Sequence, residues 1–82
     1  MNIRISNISM NTTDSQLRKL FVPYGNVDFA VVHRNSLNGR SLKSGEVHMP
    51  VVAQARQAIT SLDRTVFDGK VISVEEQPSE LY

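Results

Sequence analysis

Two short β-like segments, residues 3–8 and 42–49, constrain the fold more than any other feature of this sequence. In the first segment, Ile3 and Ile5 alternate with polar residues, as in a strand that buries one face. A helical pattern over residues 13–24 lies between the two segments. The chain is therefore predicted to begin with a strand, a helix and further strands.

The first helix has a recognisable start and a single apolar stripe. Thr13 and Gln16 fit a capping box, in which their side chains bind backbone N–H groups that are free at a helix start. Leu17, Leu20 and Phe21 then follow at the i, i+3 and i+4 positions. We therefore expect a helix with one buried face.

The rest of the chain completes a β-α-β-β-α-β order. The pattern predicts a strand over residues 27–33, a turn at Asn38-Gly39, a helix that includes residues 53–62, and a hairpin over residues 65–75 that ends in the fourth main strand. This order predicts an α+β fold, a ferredoxin-like sandwich in which a four-stranded antiparallel sheet is backed by two helices. Residues 1–77 are assigned to the domain and residues 78–82 to a short polar tail.

Composition narrows the functional classes. The chain has 82 residues, net charge +1 and no cysteine, so disulfides, thiolate catalysis and cysteine-bound zinc are excluded. No nucleophile with a base, no glycine-rich phosphate loop and no carboxylate pair can be placed, which predicts neither an enzyme nor a cofactor. His33 and His48 are expected to lie too far apart along the strands to share a metal ion. Without a signal peptide or a run of about 18 apolar residues, a cytoplasmic protein with no membrane partner is expected.

Several motifs in register resemble the RNA recognition motif family, specifically the small single-domain form found in bacteria. The matching pieces are Ile3-x-Ile5-x-Asn7-Ile8 for the first-strand hexamer, residues 42–49 for the third-strand octamer, Leu17-Arg18-x-Leu20-Phe21 with Tyr24-Gly25 for the first helix, and Phe67-Asp68-Gly69 for the closing segment. The resemblance extends over residues 1–77. It implies an open sheet face on which aromatic side chains stack on the bases of single-stranded RNA.

Three positions where the family carries those aromatics hold Arg4, Ser44 and Glu46 in this chain. Since base–aromatic stacking contributes about 1–3 kcal/mol per base, we expect weak binding. Arg4 and Glu46 are expected to face the same side of neighbouring strands. There they either form an ion pair on an unused face, or Arg4 offers its guanidinium plane to a base or a phosphate.

The second strand and the loop after it add further candidates. Alternation places Val31 and His33 on the open face, with Phe29 as the one possible aromatic. The loop carries three basic side chains, those of Arg34, Arg40 and Lys43, and no acidic side chain. Its contacts with phosphates should therefore be salt-sensitive. The predicted RNA-binding site consists of Arg4, Phe29, Val31, His33, Arg34, Arg40, Lys43, Ser44 and Glu46.

A protein-interaction module or homodimer is the alternative hypothesis. Val31, Leu42 and Val71 would make the open face partly apolar, which suits a protein partner better than RNA. The acidic end of the chain, from Glu75 onward, either adds solubility or lies near the sheet and competes with phosphates.

Overall fold

The computed structural model describes residues 1–77, and the predicted tail, residues 78–82, lies outside the described residues. The elements are the strands β1 (Asn2–Ser6), β2 (Phe29–Arg34), β3 (Ser41–His48), β4 (Val66–Phe67), β5 (Lys70–Val71) and β6 (Ser73–Gln77), and the helices α1 (Asp14–Phe21) and α2 (Val52–Leu62). The main sheet is antiparallel, with the strand order β2-β3-β1-β6. The predicted four-stranded α+β sandwich is confirmed.

The core lies between one face of this sheet and the two helices. Ile3 and Ile5 of β1 are fully buried, and they belong to the same apolar cluster as Phe21 of α1 and Ala58 of α2. Arg4, which lies between the two isoleucines, is exposed on the opposite face. The alternation read from the sequence therefore separates a buried sheet face from an open one.

The predicted capping box is present at the start of α1. The Thr13 hydroxyl accepts a hydrogen bond from the Gln16 backbone N–H at 3.2 Å, and the Thr13 backbone N–H donates to the Gln16 side-chain oxygen at 3.0 Å. The helix ends at Phe21 and continues as a single 3₁₀ turn to Tyr24. These reciprocal bonds fix where the helix begins and thereby which residues face the sheet.

The predicted last hairpin was only partly correct. The structure divides it into a small β4–β5 sheet and a separate strand β6, with Ile72 between them. Ile72 is fully buried, and its backbone bonds to Thr65 and Arg64 hold it between the two sheets. Val71 therefore lies on the small sheet, so its predicted place on the open face of the main sheet was wrong. Within residues 1–77, no helix is long and apolar enough to cross a membrane.

Candidate functional site

The face of the main sheet that lies opposite the helices carries three rows of side chains. Residues paired across antiparallel strands point to the same face, so the register defines each row. In the strand order β2, β3, β1, β6, the distal row is Phe29, His48, Asn2 and Gln77, the central row is Val31, Glu46, Arg4 and Glu75, and the loop-side row is His33, Ser44, Ser6 and Ser73.

The distal row holds two planar rings in contact. The Phe29 and His48 rings are stacked, with 5.6 Å between their centroids and 12° between their planes. His48 Nδ1 lies 2.6 Å from Asn2 Oδ1, and because that oxygen can only accept, the imidazole N–H donates. Asn2 is paired in turn with Gln77, whose Oε1 is buried and has no hydrogen-bond partner among residues 1–77. This corner therefore combines a flat surface with amide groups.

The central row alternates in charge. Arg4 lies opposite Glu46 on one side and opposite Glu75 on the other, with neighbouring strands about 4.8 Å apart. The predicted placement of Arg4 beside Glu46 is confirmed, but no ion pair between them forms within the described part of the chain. Glu75 lies on the open face, in agreement with the prediction that the acidic end lies near the sheet. Competition with phosphates stays a prediction. One cation and two carboxylates give this row a net charge of −1.

The loop-side row leads into a structured basic loop between β2 and β3. Asn35 organises the loop: its side-chain oxygen accepts from the Leu37 backbone N–H at 2.8 Å, and its backbone bonds to Arg40 and Gly39 at 2.8 Å each. Arg34 donates to the Gly39 carbonyl at 3.4 Å. The loop thus holds its cations near the sheet without help from a ligand.

Lys43 has an unusual backbone conformation near the start of β3. Its φ is 61°, in the left-handed region that suits glycine, and its N–H is fixed by the Ser41 hydroxyl at 3.1 Å. A non-glycine residue held in this way costs of the order of 1–3 kcal/mol. This is the octamer position that usually carries glycine in the family the sequence resembles, and the conformation gives the physical reason for that glycine.

The structure brings the nine predicted site residues to one face and one adjoining loop. Six lie in the three rows, and Arg34, Arg40 and Lys43 are exposed at the loop end. The prediction missed Asn2, His48 and Gln77, although alternation from Glu46 would have placed His48 on the open face. A binding role for any of these side chains stays a prediction. Within residues 1–77, no three histidine or acidic side chains are placed to hold a metal ion.

Comparisons with known proteins match this chain to one protein family. The model of the RNA recognition motif family matches residues 3–73. Mouse scaffold attachment factor B1 is 35% identical over 79 residues, which are 96% of this chain and 8% of that protein. Glycine-rich RNA-binding protein 1 of Mycosarcoma maydis is 35% identical over 72 residues, which are 88% of this chain and 41% of that protein. The chain thus spans less than half of either relative.

A solved structure matches over nearly its full length. The crystal structure of RNA binding protein PG1 is 33% identical, superposes with a TM-score of 0.90, and is matched over 96% of this chain and 99% of its own. At this TM-score the two chains share one fold. The match therefore extends the sequence similarity to the whole fold.

Proposed function

The chain belongs to the RNA recognition motif family, and on this premise we propose that it binds single-stranded RNA weakly and without catalysis. The observation that carries the proposal is an open sheet face with a preorganised basic loop at one end. The usual stacking positions on that face hold Arg4, Ser44 and Glu46, none of which offers an aromatic ring. Electrostatic capture then supplies most of the affinity, which makes binding salt-sensitive.

The basic loop is the proposed phosphate-binding element. Arg34, Arg40 and Lys43 are exposed, and the hydrogen bonds around Asn35 hold the loop in one conformation. A preformed loop loses little conformational entropy when RNA binds. The strained backbone of Lys43 supports the same role, because non-glycine residues in strained conformations cluster at functional sites.

The central row is proposed to limit the affinity. Arg4 can offer its guanidinium plane to a base, as arginine does in other RNA contacts. Glu46 and Glu75 flank it and repel phosphates, although a carboxylate oxygen can accept a hydrogen bond from a base amino group. The RNA backbone is therefore expected to avoid the centre of the sheet.

Removing two loop charges should weaken RNA binding without changing its sequence preference. We expect the double variant Arg40→Ala with Lys43→Gly to lower the salt dependence of log K by roughly 1.4, about 0.7 for each lost phosphate contact with a single strand. Glycine is chosen at position 43 because φ is 61° there. The measurement is fluorescence anisotropy with a labelled pool of random RNA octamers across a salt series.

The matched control changes the same net charge on the helices. Lys19 and Arg56 are exposed on α1 and α2, so Lys19→Ala with Arg56→Ala should leave the salt dependence unchanged. An equal loss of salt dependence in the two double variants would mean that net charge, and not the loop, attracts the RNA. Unchanged binding in the loop variant would contradict the proposed mechanism.

Neutralising Glu75 should tighten binding. The variant Glu75→Gln removes one of the two carboxylates beside Arg4, and surface charges of this kind contribute about 0.2–1 kcal/mol. We expect the affinity at low salt to rise by up to roughly fivefold, with the gain fading as salt increases. The control is Glu76→Gln, because Glu76 is paired with the buried-face residue Ile3. A gain of the same size in both variants would argue against a role for the open face.

A protein partner or a homodimer remains the second candidate function. It is favoured by the exposure of Val31 and Leu42, which are 38% and 55% exposed. The position of Val71 on the small sheet removes the third member of the predicted apolar surface. Size-exclusion chromatography over a hundredfold range of concentration tests the homodimer, which a constant monomer would exclude.

A further inference from the structure

We infer that the distal row is a base-binding subsite, in which Phe29 and His48 provide the stacking surface and the amides of Asn2 and Gln77 bind the edge of an amino-bearing base. The inference rests on the proposed RNA binding and adds where a base stacks and which bases are preferred. The preferred bases are those whose Watson–Crick edge carries an exocyclic amino group beside a ring acceptor, adenine and cytosine.

The first support is the pair of rings itself. Phe29 and His48 belong to neighbouring strands, are nearly parallel and are in offset contact. Phe29 remains 39% exposed, so an aromatic side chain on the open face keeps surface available to a ligand. A nucleobase has the flat π surface that such rings bind. The stacking surface that is missing at the three usual positions is thus present at another corner of the sheet.

The second support is the orientation of His48. Its Nδ1–H donates to Asn2 Oδ1 over 2.6 Å, which fixes the ring relative to Phe29 before any ligand arrives. A ring held in this way loses little side-chain entropy when a base stacks on it. The same bond occupies the Asn2 oxygen and leaves the Asn2 amide N–H groups to donate.

The third support is the unpaired oxygen of Gln77. Buried polar atoms are normally hydrogen-bonded, and each exception calls for an explanation. Gln77 Oε1 lacks a partner among residues 1–77, and the register places Gln77 beside Asn2 in the distal row. When the Gln77 side chain turns toward the open face, a base amino group would donate to this oxygen while a ring nitrogen accepts from Asn2. Side-chain amides bind adenine in this donor and acceptor pattern.

The distal row also suits the distribution of charge over the site. From Lys43 to His48 the third strand extends roughly 17 Å, at about 3.4 Å per residue. The basic loop and the distal row therefore lie at opposite ends of the open face, separated by the acidic central row. A strand of RNA can bind the loop through its phosphates and present a base to the rings beyond the carboxylates.

The experiment compares labelled octamers of adenylate, cytidylate and uridylate. For the double variant Phe29→Leu with His48→Leu we expect affinity for oligoadenylate to fall by roughly 5- to 150-fold, the effect of losing one stacked base. For Gln77→Ala we expect the preference of adenylate and cytidylate over uridylate to disappear while binding persists. Phe67→Leu, an aromatic-to-leucine change on the small sheet, is the control and should leave affinity unchanged.

Ring-proton NMR signals make the outcomes distinguishable. Shifts of the Phe29 and His48 ring protons on addition of oligoadenylate, together with the affinity losses, would support the subsite. RNA binding that depends on Arg40 and Lys43 but leaves both rings and the double leucine variant unaffected would overturn the subsite and keep the proposed function. Absence of binding to all three octamers at low salt would overturn both.

Discussion

Placing phenylalanine at Ser44 and Glu46 is expected to tighten RNA binding by at least about thirtyfold. Both side chains lie on β3 in the middle of the open face, where the family carries stacking aromatics. Two added stacks at about 1 kcal/mol each give 2 kcal/mol, and each 1.4 kcal/mol is a factor of ten. The substitution at Glu46 also removes a carboxylate beside Arg4. The measurement is the dissociation constant for the random octamer pool at fixed salt.

The matched control separates stacking from the loss of charge. Ser44→Leu with Glu46→Leu removes the same carboxylate and adds apolar surface, but it offers no aromatic ring. If the leucine variant binds as tightly as the phenylalanine variant, the missing aromatics are not the reason for weak binding. A thermal unfolding curve for each variant checks that the hydrogen bond between His33 and Ser44, 3.2 Å long, is not needed for folding.

The fold was predictable because its signals are local. Period-two alternation in Ile3 and Ile5 identifies the buried face of the first strand, and Thr13 with Gln16 identifies the start of the first helix. Each pattern reports on a backbone geometry that neighbouring residues determine by themselves. The resemblance then supplied the pairing of the first and third strands, which the structure shows, and the family itself is shown by the match over residues 3–73.

The parts that the sequence did not predict depend on contacts between distant residues. Val71 has the β-branched side chain of a strand, but the hairpin is divided into two sheets at the buried Ile72, whose backbone bonds to Arg64 and Thr65. His48 meets Phe29 only because the strands pair in one particular register, and spacing along the chain does not fix that register. The positive φ of Lys43 was not predicted, because lysine has no preference for the left-handed region; only the glycine that is usual at this octamer position indicates it.

Gly45→Val should lower the free energy of unfolding by about 3 kcal/mol, at the upper end of the usual cost of overpacking a core. Gly45 is paired with the buried residues Ile5 and Val32. A Cβ at this position would lie 2.8 Å from the Val31 carbonyl oxygen and 2.8 Å from a methyl group of Leu17. The melting temperature should fall by roughly 12–24 °C, since 1 kcal/mol corresponds to about 4–8 °C in a domain of this size. Chemical and thermal denaturation followed by circular dichroism measure both quantities.

A double-mutant cycle shows whether the close approach at Gly45 is the cause. Gly45→Ala should cost less in the background Leu17→Ala, because one of the two nearest atoms belongs to the Leu17 side chain. Some cost should remain, since the Val31 carbonyl is backbone and cannot be removed. Gly39→Ala is the contrasting case: nothing lies within 4 Å of its Cβ, so its cost arises from a φ of 72° and should be the same in both backgrounds. If Leu17→Ala leaves the cost of both alanine substitutions unchanged, then backbone conformation, and not the packing of α1 against the sheet, requires glycine at position 45.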